Sequence, residues 1–171
     1  MSQLQTLRNK ILNLDQLLTS LKEVKEANKK VVFTNGCFDI LHKGHVEYLA
    51  ASADQGDVLV LAINSDRSVR QLGKGENRPI NAFDARATLI AALGFVDYVI
   101  EFDADTPIDL IRAIKPDVLV KGGDYDPDQA DSNAKNYIVG RDVVLVNSGE
   151  VRTINLVDGF STTNLINKMK Q

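Results

Sequence analysis

The stretch from Val31 to Leu49, VVFTNGCFDILHKGHVEYL, restricts the possible folds more than any other part of the chain. Val31-Val32-Phe33 is an apolar β-type run, and Asn35-Gly36 is a turn-prone pair that breaks it. After His45 the apolar residues Val46, Leu49, Ala50 and Ala53 recur at helical spacing. The stretch therefore reads as a strand, a glycine-containing loop, and a helix whose first turn carries His42 and His45. Residues at i and i+3 share a helix face, so both imidazoles can point the same way. A helix N-terminus offers free N–H groups and a partial positive charge, which suits phosphate. Gly44, between the histidines, lets a ligand approach the backbone.

The remaining chain repeats the alternation. Residues 4–28 read as one or two helices with Leu14, Leu17, Leu18, Leu21 and Val24 on the apolar face and Asp15 as a candidate cap. This N-terminal helical extension, 1–29, precedes a single globular domain, 30–171, and packs on that domain or on a second subunit. Strands are expected at 30–34, 58–63, 98–100, 117–120 and 143–146, with an extended edge segment at 151–156. Helices are expected at 43–54, 66–72 and 82–93, in a segment opened by Thr106-Pro107 with Pro at the first helical position, and after Ser161. Residues 126–137 are polar and aperiodic and read as a loop. Strands alternating with helices imply an α/β parallel sheet of about five strands flanked by helices.

The polar motifs fall after strands or at helix N-termini, positions that gather on one sheet edge in such folds. They comprise Asn64-Ser65-Asp66, Lys74 and Arg78 in a Gly/Pro-containing loop, Arg86, Lys121-Gly122-Gly123-Asp124, and Ser161-Thr162-Thr163. Arg86 lies near a helix start, where a cation gains nothing from the helix dipole, which points to a functional or ion-pair role. Ser161 or Thr162 either caps the last helix or holds phosphate. As a set these are donors and cations suited to a polyphosphate.

Composition narrows the class. The chain has 171 residues, a formal net charge of -3, and 44% hydrophobic residues, which gives a core and no nucleic-acid footprint. Its single cysteine, Cys37, excludes an internal disulfide and fits a reducing compartment; beside Phe38 it reads as a small packing residue. No apolar run approaches the length of a membrane span, and MSQLQTLRNKIL lacks a signal-peptide core, so a cytoplasmic protein is expected. There is no GxSxG nucleophile motif and no GxxxxGK[ST] phosphate loop. HxGH has no third or fourth convergent ligand nearby, which disfavours a protein-held metal; magnesium would be held mainly by nucleotide phosphates.

Four blocks, FTNGCFDILHKGH, AINSDRS, LVKGGDY and DGFSTTNLI, run in order from 33 to 166. Together they resemble the bacterial heptose 1-phosphate adenylyltransferase family, the nucleotidyltransferase part of ADP-heptose synthase, within the HxGH superfamily. The resemblance to glycerol-3-phosphate cytidylyltransferases is more distant. KGGDY and the segment Asn77 to Asn81 pull toward the heptose branch, as does Leu156, which stands where cytidylyltransferases carry the arginine of RTEGISTT.

The resemblance implies a Rossmann-like nucleotidyltransferase fold and transfer of AMP from ATP to a manno-heptose 1-phosphate, with CTP-dependent transfer to glycerol 3-phosphate or a related phosphate as the alternative. It implies catalytic roles for His42, His45, Lys43 and Arg86, and a nucleotide site formed by Thr34, Asn35, Gly36, Cys37, Phe38, Gly44, Asn64, Ser161, Thr162 and Thr163. Lys74, Arg78, Lys121, Gly122, Gly123 and Asp124 would meet the sugar phosphate. It also implies a homodimer, and a separate sugar kinase that supplies the substrate. A non-catalytic nucleotide-binding protein is opposed by the intact His42/His45 pair and STT turn. A tRNA-synthetase fragment is opposed by the short acidic chain without a KMSKS-like segment.

Overall fold

The computed structural model of the protein describes residues 2–73 and 77–169. Its elements run α1 (Gln3–Arg8), β1 (Ile11–Leu12), α2 (Leu14–Glu26), β2 (Val31–Gly36), α3 (Lys43–Ala53), β3 (Val58–Asn64), α4 (Asp66–Gln71), α5 (Phe83–Ala91), β4 (Tyr98–Phe102), α6 (Ile108–Ile114), β5 (Val118–Gly122), α7 (Arg141–Val146), β6 (Glu150–Ile154) and α8 (Thr162–Met169). The strands form one parallel sheet in the order β1-β4-β3-β2-β5-β6. The expected α/β architecture is present, with six strands among the described residues rather than about five.

The two-residue side-chain period of a strand explains how the core divides. Val31 and Phe33 of β2 join Leu17 and Leu21 of α2, Ile111 and Ile114 of α6, and Val144 of α7 on one face of the sheet. Val32 joins Tyr48 and Leu49 of α3 with Ala87, Ile90 and Ala91 of α5 on the other. All seven residues of β3 are buried, because both faces of this central strand are covered. Each such aliphatic side chain contributes roughly 1.5–3 kcal/mol of burial.

Four features differ from the sequence expectation. Residues 143–146 lie within helix α7, not a strand. Only Val144 of this helix is buried, Val146 is 85% exposed, and the parallel edge position beside β5 is taken by β6. Residues 4–28 divide into α1 and α2 around β1, which pairs with β4, so this part of the chain contributes to the sheet. The cap of α2 is Asn13 rather than Asp15: its side chain accepts from the Gln16 N–H while the Gln16 side chain accepts from the Asn13 N–H. Pro107 is the N-cap of α6, one position earlier than expected.

The order of strands reverses between β2 and β5, where the chain departs in opposite directions from the middle of the sheet. That switch point leaves a crevice beyond the carboxyl ends of the two strands. Tyr48 of α3 spans it from below: its phenol lies 2.7 Å from Thr34 Oγ1 on β2 and donates to the Val120 carbonyl on β5 at 3.3 Å.

Candidate active site

A cleft of about 520 Å³ opens at this switch point, within the roughly 300–1,000 Å³ range of small-ligand sites. Its floor comes from the ends of β2 and β5. Lys121 Nζ donates to Asn35 Oδ1 at 2.8 Å and so bridges the two strands, while its ammonium lies 5.2 Å from the Tyr125 ring centroid. The start of α3 forms one part of the wall, and Leu156, Val157, Phe160, Ser161 and Thr162 form another. Burial holds the Tyr48 phenol up at about 12, so it remains a hydrogen-bond donor beneath the cleft.

The histidines share one wall. His42 is the N-cap of α3, and its Nδ1 accepts the His45 backbone N–H at 3.3 Å. A neutral His42 therefore carries its proton on Nε2. The two imidazoles stack, with centroids 3.7 Å apart and planes at 17°. Burial pulls the His42 pKa below its ordinary value and so favours the neutral ring. The result is a fixed N–H donor at a helix N-terminus, suited to an oxygen on which negative charge accumulates.

A buried rivet holds the loop before α5 against the turn that carries the histidines. Asp39, 1% exposed, accepts the backbone N–H groups of Ile80 at 2.7 Å and Asn81 at 2.9 Å and pairs with Arg78 Nε. The Asn81 side-chain amide donates back to the Asp39 carbonyl at 2.7 Å. Arg86 completes the joint from inside the protein. It is fully buried and donates to the carbonyls of Cys37 at 2.7 Å and Asn81 at 2.9 Å and to Asp66 Oδ1 at 2.7 Å.

The cleft collects Asn35, Gly36, Cys37, Phe38, His42, Gly44, His45, Asn64, Arg78, Lys121, Gly122, Asp124, Ser161 and Thr162. Other sequence-proposed residues lie elsewhere. Arg86 is an internal strut whose donors engage the protein's own carbonyls and Asp66, not the cleft. Lys43 does not line the cleft; it pairs with Glu47 at 3.4 Å and sits 5.5 Å over the Phe160 ring. Thr34 is buried under the floor, and Thr163 is exposed beyond the wall. Lys74 falls outside the described residues. Ser161 serves the first of its two offered roles, accepting the Asn164 N–H at 3.0 Å at the start of α8.

The motif glycines make room for the chain itself. A Cβ on Gly44 would meet Phe160 Cβ at 3.1 Å and the His42 ring at 3.2 Å. One on Gly122 would meet Asp124 Oδ1 at 2.7 Å, and one on Gly123 would meet Asn155 Oδ1 at 2.9 Å. Sequence reasoning missed Asp39, Tyr48, Tyr125 and Phe160 in the cleft. The first was detectable, because an acidic residue between Phe38 and Ile40 in an apolar loop needs a partner when buried.

Among the described residues, no group of three or more His, Cys, Asp or Glu is arranged to hold a metal ion. Asp39 is already committed to Arg78 and two backbone N–H groups, and the other carboxylates lining the cleft are Asp105 and Asp124. No helix of the described residues is long and apolar enough to cross a membrane.

Comparison with known proteins gives the site its relatives. The chain is 50% identical over 160 residues to the Bifunctional protein HldE of Ectopseudomonas mendocina (strain ymp), covering 94% of this chain and 32% of that protein. It is 52% identical over 161 residues to the protein of the same name from Campylobacter fetus subsp. fetus (strain 82-40), covering 94% and 31%. The chain thus spans about a third of the length of these curated relatives. Among solved structures it resembles a lipopolysaccharide core biosynthesis protein from Thermoplasma volcanium GSS1 at TM-score 0.57 and 29% identity, over 75% of this chain and 97% of that one. The pantothenate synthetase of Thermus thermophilus shares the fold, at TM-score 0.61 and 14% identity over 91% of this chain and 67% of that one. Residues 33–168, which contain both histidines, the lysine bridge and the serine-capped helix, match the family described as cytidylyltransferase-like, and the chain belongs to that family of nucleotidyltransferase enzymes.

Proposed function

We propose that this cleft binds ATP and a manno-heptose 1-phosphate and transfers AMP between them, giving an ADP-heptose and pyrophosphate. The observation that carries the reading is the stacked His42–His45 pair at the N-terminus of α3, with the Nε2 proton of His42 fixed by the bond at Nδ1. The relatives named HldE and the lipopolysaccharide core biosynthesis protein support the choice of sugar.

A sugar phosphate oxygen is already ionised at neutral pH, so the attack on the α-phosphorus needs no protein base. The new P–O bond forms as the bond to the β-phosphate oxygen breaks, and pyrophosphate departs with the electron pair. The protein positions the reactants and stabilises the charge. The imidazole donors face the triphosphate, where their hydrogen bonds strengthen as charge builds on the leaving oxygen. Lys121, aligned by Asn35, lies between nucleotide and sugar phosphate. Arg78 offers its remaining guanidinium donors while Asp39 fixes its Nε. Thr162, at the start of α8, meets the phosphates.

Magnesium would be held mainly by the nucleotide phosphates and would neutralise part of their charge, with Asp105 and Asp124 the carboxylates of the cleft outside the Asp39 joint. The enzyme acts in the cytoplasm as a homodimer, and a kinase activity supplies the sugar 1-phosphate.

Pyrophosphate release tests the reading, with ATP and CTP each offered against manno-heptose 1-phosphate and glycerol 3-phosphate in the presence of magnesium. Release confined to ATP with the heptose phosphate is expected. Release confined to CTP with glycerol 3-phosphate would replace this substrate pair while keeping the mechanism. Silence in all four mixtures would overturn the reading.

A further inference from the structure

A chain of ring contacts passes through the histidine turn and beyond it on both sides. Phe38 meets His45 edge-on, with centroids 5.0 Å apart and planes at 64°. His45 stacks on His42 at 3.7 Å. His42 in turn meets Phe160, 6.4 Å away and tilted by 33°. All three spacings fall within or just below the roughly 4.5–7 Å range of favourable ring pairs.

Both outer rings sit where they are at a local cost. Phe38 has a φ of 46°, a left-handed conformation uncommon for a bulky residue, and its ring folds back so tightly that a Cβ on Gly36 would lie 2.8 Å from it. Phe160 remains 43% exposed, so burial alone gives little reason for its placement. It is seated instead by contacts to the motif: its Cβ occupies the space beside Gly44, and the Lys43 ammonium lies 5.5 Å from its ring centroid. Lys43 is itself held by Glu47. The two motif positions between the histidines, the lysine and the glycine's missing side chain, thus converge on Phe160.

We propose that Phe160 is a positioning residue for the transfer reaction: with Phe38 it clamps the His42–His45 pair, so that docking of the segment before α8 and alignment of the two imidazoles are one event. An imidazole on a surface helix turn has freedom about two torsions. His42 is restrained by one hydrogen bond at Nδ1 and by ring contacts to His45 and Phe160. Of these restraints, Phe160 alone comes from outside the β2–α3 passage, adjacent to Ser161 and Thr162. The wall that meets the phosphates therefore also sets the donor that serves them. The inference rests on the reaction proposed above for its catalytic consequence, and on the ring geometry alone for its structural one.

The test exploits a chain with only two histidines, whose imidazole C–H resonances give two sets of peaks, assigned with His45→Ala. Phe160→Leu is compared with Phe160→Tyr by NMR and by steady-state kinetics with ATP and manno-heptose 1-phosphate. In Phe160→Leu the His42 peaks are expected to move as the ring current is lost. Its kcat should fall about tenfold, the size of a lost aromatic pairing, with the KM for ATP within about twofold of wild type. Phe160→Tyr should keep both the shifts and the rate. Unmoved His42 peaks in Phe160→Leu would overturn the clamp. So would moved peaks with an unchanged kcat, or a raised KM at full kcat, which would make Phe160 a nucleotide contact instead. If wild type turns over neither substrate, the proposed reaction fails on its own, and the NMR comparison still decides whether Phe160 packs on His42.

Discussion

The two ends of the same parallel sheet use polar residues in opposite ways. At the amino ends of the strands, three aspartates each precede a strand and bind a backbone N–H of the neighbouring chain segment. Asp57 takes the Lys30 N–H at 2.7 Å, Asp97 that of Leu59 at 2.8 Å, and Asp117 that of Val31 at 2.7 Å. Lysines take up carbonyls there: Lys10 donates to the Val96 carbonyl just before β4 at 2.7 Å, and Lys25 to the Ile114 carbonyl at the end of α6 at 2.6 Å. Burial pulls the Lys25 pKa down despite nearby Asp117. At the carboxyl ends, the strands finish in Asn35, Asn64 and Lys121, and the side chains converge on the cleft. One edge completes the backbone's hydrogen bonds; the other presents donors to a ligand. Asp39 and Arg86 cross this division, lying at the ligand edge but bonded like the frame.

Substitutions at the two edges should therefore separate stability from turnover. The largest effect is expected for Asp39→Ala, which strands Arg78 and two N–H groups in a buried joint. Denaturant unfolding should register a loss of about 3–5 kcal/mol, and a near-normal midpoint would remove the rivet. His42→Ala and His45→Ala should each lower turnover at least roughly a hundredfold, about 2.7 kcal/mol of transition-state stabilisation, with the fold intact. Near-normal rates in both would contradict the mechanism. Asp117→Ala at the opposite edge should cost about 1–3 kcal/mol of stability through the orphaned Val31 N–H and leave kcat unchanged, so a lost rate in folded protein would blur the contrast. For Lys121→Ala, a rise of roughly tenfold in the sugar-phosphate KM is expected, and identical kinetics would take Lys121 out of the site.

The smallest effect concerns acid. The folded pKa of His42 lies below the ordinary value of 6.5, so the unfolded chain takes up the proton first. Its contribution to stability is complete above that value and declines as pH falls toward the folded pKa. Replacing His42 with Asn, a good helix cap, should flatten this part of the stability–pH curve. An equal slope in wild type and variant would locate the titration elsewhere.

Much of the ligand edge is legible in the sequence because its signals are local. The β2–turn–α3 passage and the all-apolar β3 announce themselves by periodicity, and the glycine-flanked Lys121 by its place after a strand. Other features depend on contacts between distant parts of the chain. β1 has two residues, too few to show a pattern, and exists through pairing with β4. The run Val143 to Val146 has the composition of a strand, but the edge beside β5 is filled by β6. Arg86 reads as a cation near a helix start, and nothing nearby reveals that three internal acceptors await it. Phe160 sits in a segment whose hydroxyls stand out first, while its contact with His42 requires the tertiary fold.

The proposed reaction is direct transfer by a positioned site, without a protein nucleophile. Exchange of labelled pyrophosphate into ATP, with and without manno-heptose 1-phosphate, separates this route from a covalent one. Exchange is expected only when the sugar phosphate is present, because the α-phosphorus then has an acceptor and the reaction can run backward. Exchange with ATP alone would reveal a nucleotidyl group carried on the protein, and would contradict the claim.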